Sequence, residues 1–95
     1  MRKFVHVSFV FGDPPTPHLI ARLEKKFDRA FDWMRYSDAA WILYTARTIN
    51  SWRDTIGQVK LPENTVFMLV EFDHASKCSG YQHEWVWEWL EKKRD

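Results

Sequence analysis

The segment from Trp33 to Thr45 constrains the fold more than any other part of the chain. Two short runs rich in aromatic and apolar residues, 33–36 and 40–45, are separated by only a few polar residues. Aromatic and β-branched residues on either side of a short polar turn predict a β-hairpin. One helical pattern precedes this hairpin and another follows it, so the chain is predicted to mix helices and strands.

The first strand is predicted at residues 4–11, where side chains alternate between two faces. One face is the expected core face and bears Val5, Val7, Phe9 and Phe11. The opposite face bears Phe4, His6, Ser8 and Val10. This opposite face has more apolar character than contact with water alone would favour, so it is a candidate interface.

Both predicted inner helices begin with a threonine that can cap the helix. Thr16 precedes Pro17, and a proline at the first helical position loses no hydrogen bond there. Apolar residues then recur at helical spacing, namely Leu19, Ile20, Leu23, Phe27, Ala30 and Phe31. The opposite side of this helix is basic and bears Arg22, Lys25, Lys26 and Arg29. Thr48 is the predicted cap of the second helix.

A last apolar run at residues 66–72 predicts a strand in the middle of the sheet, because almost every residue in it is apolar. The resulting order is strand–helix–strand–strand–helix–strand, which is the split βαβ plan of a ferredoxin-like domain. We therefore predict one α+β domain over residues 1–95, a ferredoxin-like sandwich with an antiparallel sheet and an added C-terminal helix. Many unrelated functions share this plan.

The added helix is predicted at about residues 81–93. At 100° per residue, five apolar side chains fall on one broad face, and they are expected to cover the core. They are Tyr81, Trp85, Val86, Trp89 and Leu90. Trp87 falls on the other side among glutamates. It is either a lone exposed aromatic side chain or part of a contact with another chain.

Composition limits the function classes. The chain is 45% hydrophobic with six tryptophans, which is enough for a packed core. Fourteen basic and thirteen acidic residues give a net charge of +1, so a strong basic excess typical of nucleic-acid binding is lacking. Cys78 is the single cysteine, which excludes an internal disulfide and favours a reduced, cytoplasmic location. No run approaches the length of a membrane helix.

Several short segments together resemble a known family. They are the first strand at residues 4–9, the hairpin at 33–45, Trp-Arg-Asp-Thr-Ile at 52–56, residues 64–71, and Trp-Glu-Trp-Leu at 87–90. On these segments the chain resembles the CRISPR-associated Cas-two superfamily, in particular its SinR-like branch. The similarity spans most of the chain, although each segment is short.

The resemblance implies a compact homodimer whose sheets approach one another. In some members it also implies metal-dependent cleavage of RNA or DNA by an aspartate that follows an aromatic residue at the end of the first strand. Here Phe9 fills the aromatic position and Val10 stands where that aspartate is expected. Valine cannot bind a metal ion, and Asp13 could replace the aspartate only if the strand end were rearranged.

We therefore predict a small non-catalytic, dimeric interaction module, with no cofactor or metal, in a CRISPR or phage-defence setting that the resemblance alone suggests. It would act through a protein partner or a weak nucleic-acid contact. The candidate partner or dimer interface consists of Phe4, His6, Ser8, Val10 and Trp87. The candidate nucleic-acid contact consists of Arg22, Lys25, Lys26 and Arg29. The alternative is an active metal-dependent endonuclease.

Overall fold

The computed structural model describes residues 1–94, and its elements follow the predicted order. They are β1 (Lys3–Val10), α1 (Pro17–Phe27), β2 (Asp32–Ser37), β3 (Ala40–Thr45), α2 (Ile49–Gly57), β4 (Val66–Phe72) and α3 (Glu84–Glu91). A short 3-10 turn, Ala75–Lys77, lies between β4 and α3. The described chain is a small α+β domain with an antiparallel sheet and three α-helices, as the sequence predicted.

The four strands lie in the order β2-β3-β1-β4, and every neighbouring pair is antiparallel. The central position predicted for β4 is wrong, because β4 is an edge strand. Its run of apolar residues shows that both faces of the strand are apolar. A central position would instead require hydrogen-bonded neighbours along both edges, and β4 pairs only with β1. A sequence pattern reports the faces of a strand and contains no direct information about its edges.

The core face of the sheet is covered by α1 and α2. Val5, Val7 and Phe9 are buried there, as predicted, together with the completely buried Trp41 and Trp52. Both buried indole N–H groups are satisfied. Trp41 Nε1 donates to the Glu24 carboxylate at 3.0 Å, and Trp52 Nε1 donates to Thr45 Oγ1 at 3.2 Å.

The predicted caps of α1 and α2 are confirmed. Thr16 Oγ1 accepts a hydrogen bond from the Leu19 amide at 3.1 Å, and Thr48 Oγ1 accepts one from the Ser51 amide at the same distance. Each bond satisfies an amide that a helix leaves unpaired in its first turn. α1 ends at Phe27, however, so the predicted extension of its apolar stripe to Phe31 is wrong and Phe31 is exposed.

α3 packs on the opposite side of the sheet, which we call the second face, so this face is not left bare. Val86 and Leu90 of α3 are buried against Phe4, Met34 and Ile42. The helix is shorter than predicted, since it spans Glu84–Glu91.

The predicted orientation of α3 is only partly correct. Val86 and Leu90 are buried as expected, and Trp89 packs against the same cluster. Tyr81 is fully exposed because it precedes the helix, and Trp85 is 46% exposed. Trp87 is half-buried against the cluster, whereas the prediction placed it among the solvent-facing glutamates. Only a narrow stripe of α3, centred on Val86 and Leu90, is buried against the sheet. Trp87 packs against the same buried cluster and is itself half-buried.

Candidate functional site

The part of the second face that α3 does not cover presents four apolar side chains to solvent. Val10 is 68% exposed, Val66 and Met68 are each 61% exposed, and Val70 is 45% exposed. The strand register pairs Val10 with Val66, Ser8 with Met68, and His6 with Val70. Directly opposed residues of antiparallel strands lie on the same face, so these side chains adjoin one another. We call Val10, Val66, Met68 and Val70 the apolar patch.

Sequence periodicity explains why these residues remain exposed. In β4 the side chains of Phe67 and Leu69 pack against the main core, and the intervening side chains therefore point to the second face. Edge strands of soluble proteins are commonly protected by charges or prolines, because an unprotected edge can pair with another chain. Before Glu71, β4 contains neither. The open edge thus belongs to the strand that contributes three of the four residues of the apolar patch.

A cavity of about 310 Å³ lies beside the contact of α3 with the sheet, is bordered also by the loop before α3, and adjoins the apolar patch. Val70 belongs to the patch and also lines this cavity, together with His6, Tyr36, Cys78 and Trp87 among others. The exposed apolar surface therefore continues from the edge strand into the space beneath α3.

Two polar side chains meet in this cavity. His6 Nε2 and the Tyr36 hydroxyl share a hydrogen bond between the first and second strands. Burial lowers the pKa of His6 from its usual value of 6.5. The pKa of Tyr36 is raised from its usual value of 10.0, mainly by burial and to a smaller extent by the charge of the neighbouring Cys78. Both side chains are therefore neutral near pH 7. The pair provides a hydrogen-bonding point within an apolar surface without adding charge.

Cys78 lies at the same cavity and is half-buried. Burial raises the pKa of its thiol above 9.0. The reactive thiolate form is therefore disfavoured at neutral pH. Lys77 lines the same cavity, but its ammonium pairs with Asp73.

The structure separates the five predicted interface residues. Val10 belongs to the apolar patch, His6 and Trp87 line the cavity, and Ser8 is half-buried between these two regions. Phe4 is only 6% exposed because α3 covers it. Within this chain Phe4 is thus already occupied by an internal contact.

Sequence analysis missed the contribution of β4 to this surface. Val66, Met68 and Val70 alternate with Phe67 and Leu69, so the alternation was visible in the sequence. The missing information was the pairing of β4 with β1, which places these three residues opposite Val10, Ser8 and His6.

The predicted basic residues lie on α1 and just after it, on the core-face side of the sheet and away from the apolar patch. Arg22, Lys25 and Lys26 are spaced i, i+3 and i+4, which places them on one side of α1, whereas Arg29 lies in the turn that follows the helix. We call these four residues the basic stripe. None of them takes part in the ion pairs found within residues 1–94. Burial and repulsion from Arg29 lower the pKa of Arg47, so positive charge extends beyond α1.

The end of β1 provides a structural explanation for Gly12. A side chain at this position would lie 1.8 Å from the Glu63 carbonyl oxygen, so the close approach of two loops requires glycine. The Gly12 amide also donates to Thr65 Oγ1 at 3.1 Å. Asp13 is exposed beside this turn. Across residues 1–94, no group of three or more His, Cys, Asp or Glu side chains is placed to hold a metal ion.

Comparisons with protein-family models, with curated proteins and with solved structures find no match to this chain. Of the helices in the described part of the chain, none has the length and apolar character needed to cross a membrane.

Proposed function

We propose that this chain is a ferredoxin-like, non-catalytic interaction module that forms a homodimer through the apolar patch. The strand order supports the fold assignment. β1 and β2 are joined through α1 and have β3 between them, while β3 and β4 are joined through α2 and have β1 between them. Two interleaved βαβ units of this kind are the ferredoxin-like plan.

The proposed function rests on the apolar patch, which lies on the uncovered part of the second face. Exposed apolar residues scattered singly are normal, but a contiguous group rimmed by polar residues is typical of an interaction site. Four adjoining side chains that are 45–68% exposed form such a group.

A second copy of the chain is a suitable occupant of this surface. In a twofold dimer the same patch contributes from both sides, so apolar surface meets apolar surface without a separate complementary partner. The continuation into the cavity beneath α3 extends the contact toward the area of roughly 800 Å² per partner that stable complexes bury. The resemblance to the Cas-two superfamily also implies a homodimer.

The basic stripe supports a weaker secondary contact with nucleic acid. Three cations on one side of α1, with Arg29 in the turn after it, can approach several phosphates at once, although the net charge of +1 limits long-range attraction. The proposed CRISPR or phage-defence setting rests on the family resemblance, and the proposed cytoplasmic location rests on the single cysteine.

The test is a comparison of Met68→Asp with the control Tyr81→Asp, using light scattering over a range of protein concentrations. Tyr81 is also highly exposed but lies outside the patch and outside the secondary structure. We expect wild type and the control to dimerise with increasing concentration and Met68→Asp to remain monomeric, because a buried unpaired carboxylate is strongly unfavourable. A wild-type protein that stays monomeric at high micromolar concentration contradicts the proposal, as does a Met68→Asp variant that dimerises normally.

A further inference from the structure

The guanidinium group of Arg94 is enclosed by three aromatic rings at the end of the sheet opposite the apolar patch. Its central carbon lies 4.4 Å from the ring centre of Trp89, 4.9 Å from that of Tyr44 and 5.4 Å from that of Phe4. These rings come from α3, β3 and β1, so three separate elements assemble what we call the aromatic socket. The Arg94 side chain is only 10% exposed.

Polar groups at the edge of the aromatic socket match the donors of a guanidinium. Arg94 Nη2 donates to the Trp89 carbonyl at 2.8 Å and lies 3.5 Å from Asp32 Oδ2. A planar cation can stack on aromatic faces and still donate hydrogen bonds in its own plane. Lys92 approaches the same carboxylate oxygen at 3.7 Å but remains 60% exposed, so its ammonium lies outside the enclosure.

Arg94 fills the aromatic socket incompletely. Its Nε atom is buried and has no hydrogen-bond partner within the described residues, which is an unfavourable arrangement for a charged donor. Two cavities, of about 480 Å³ and about 420 Å³, flank the side chain, and Arg94 lines both. Residues on either side of an arginine held in the aromatic socket therefore have room beside it.

The surroundings also indicate the chemistry of such a ligand. The cavity of about 420 Å³ is lined by the basic residues Arg2, Lys92 and Lys93 as well as by Asp32. A guanidinium suits the aromatic rings and the Asp32 carboxylate, while the basic residues on this side favour negative charge beside it. The cavity of about 480 Å³ on the other side is mixed in charge, since Asp73 and Glu91 line it as well as Arg2 and Lys92.

We propose that the aromatic socket is a binding site for an arginine side chain of another polypeptide, flanked there by acidic residues, and that Arg94 is a competing ligand from the same chain. The site is separate from the proposed dimer surface. Along β1, Phe4 lies four residues (about 13 Å) from the pairing partner of Met68 and six residues (about 20 Å) from Val10, and only Val70 at the near edge of the patch comes within two residue positions (about 7 Å).

The test measures the binding of an acetylated Glu-Arg-Glu tripeptide by following the NMR signal of the Trp89 indole N–H. The comparison includes wild type, Arg94→Ala, and Arg53→Ala as a control in which an exposed arginine on α2 is removed. If Arg94 occupies the socket about nine-tenths of the time, removing it strengthens peptide binding about tenfold. We expect this gain for Arg94→Ala and none for Arg53→Ala, with a Glu-Lys-Glu tripeptide binding more weakly.

A second variant keeps the test decisive if Arg94→Ala does not fold. Arg94→Lys retains a cation in the tail but lacks the planar fork, so it should also bind Glu-Arg-Glu more tightly than wild type does. A folded variant that binds Glu-Arg-Glu no better than wild type, or no better than Glu-Lys-Glu, overturns the proposal. Met68→Asp should leave peptide binding unchanged, which distinguishes a failure of this site from a failure of the proposed dimer.

Discussion

The two faces of the sheet are covered in different ways. The core face lies under two helices, each with a threonine cap, and its cluster contains twelve buried residues. The second face lies under one helix of eight residues whose N-cap residue, His83, makes no capping hydrogen bond, and its cluster contains five buried residues. This difference indicates that the core face contributes more to the stability of the fold, while the second face leaves several apolar side chains exposed.

The largest expected effect is on the core face. Trp52→Ala removes a completely buried ring and a hydrogen bond to Thr45, and should lower the free energy of unfolding by about 3–5 kcal/mol. Trp85→Ala on α3 should lower it by only about 1 kcal/mol because the residue is about half exposed. Denaturant unfolding of both variants gives the comparison. Similar losses for the two tryptophans would mean that the two faces contribute equally.

Leu90→Ala should have a smaller and more local effect. Leu90 holds α3 against Phe4 and Ile42, and its truncation should cost about 2 kcal/mol. An eight-residue helix is marginal without such contacts, so α3 should open while the sheet remains intact. Hydrogen exchange should accelerate in α3 and stay slow in β1 and β3. Equal acceleration throughout the sheet would show that α3 is part of the main cooperative unit.

The caps provide a third contrast between the two faces. Thr16→Ala should lower the free energy of unfolding by about 1 kcal/mol, because the Leu19 amide loses its acceptor. His83→Ala occupies the corresponding position of α3, where the side chain accepts no capping bond, and should have almost no effect. Thermal unfolding of the two variants checks this expectation. A large effect at His83 would indicate a role for that side chain outside capping.

The smallest expected effect is a pH dependence that arises on the second face. Burial lowers the pKa of His6 in the folded state below 6.5, so the unfolded chain binds a proton more readily. Stability should therefore be constant above this value and should fall as the pH decreases below it. Replacing His6 with glutamine should remove that dependence. Unfolding curves measured on both sides of the transition compare the two proteins, and an unchanged pH dependence would exclude His6 as its source.

Local sequence signals predicted the core face better than the second face. The alternation of β1, the threonine caps and the hairpin at residues 33–45 each depend on neighbours in sequence, and each is confirmed. The position of β4 at the edge depends on pairing between strands more than fifty residues apart, which periodicity does not encode. The exposure of Trp85 depends on where α3 begins and on which narrow stripe meets the sheet.

The same distinction applies to the candidate site. The sequence indicated Val10 and His6 because β1 alternates, but the larger share of the apolar patch comes from β4. The aromatic socket was not predicted at all, because it combines β1, β3, α3 and Arg94 from distant parts of the chain.

The central claim is that the uncovered part of the second face contacts a second copy of the chain, and the three methionines allow a direct test. Met68 lies in the apolar patch, Met34 is buried beneath α3, and Met1 is almost fully exposed. In a protein with labelled methionine methyl groups, raising the concentration should shift the NMR signal of Met68 and leave those of Met34 and Met1 in place. A Met68 signal that does not change while the protein dimerises, or a shift of Met1 as large as that of Met68, would contradict the claim.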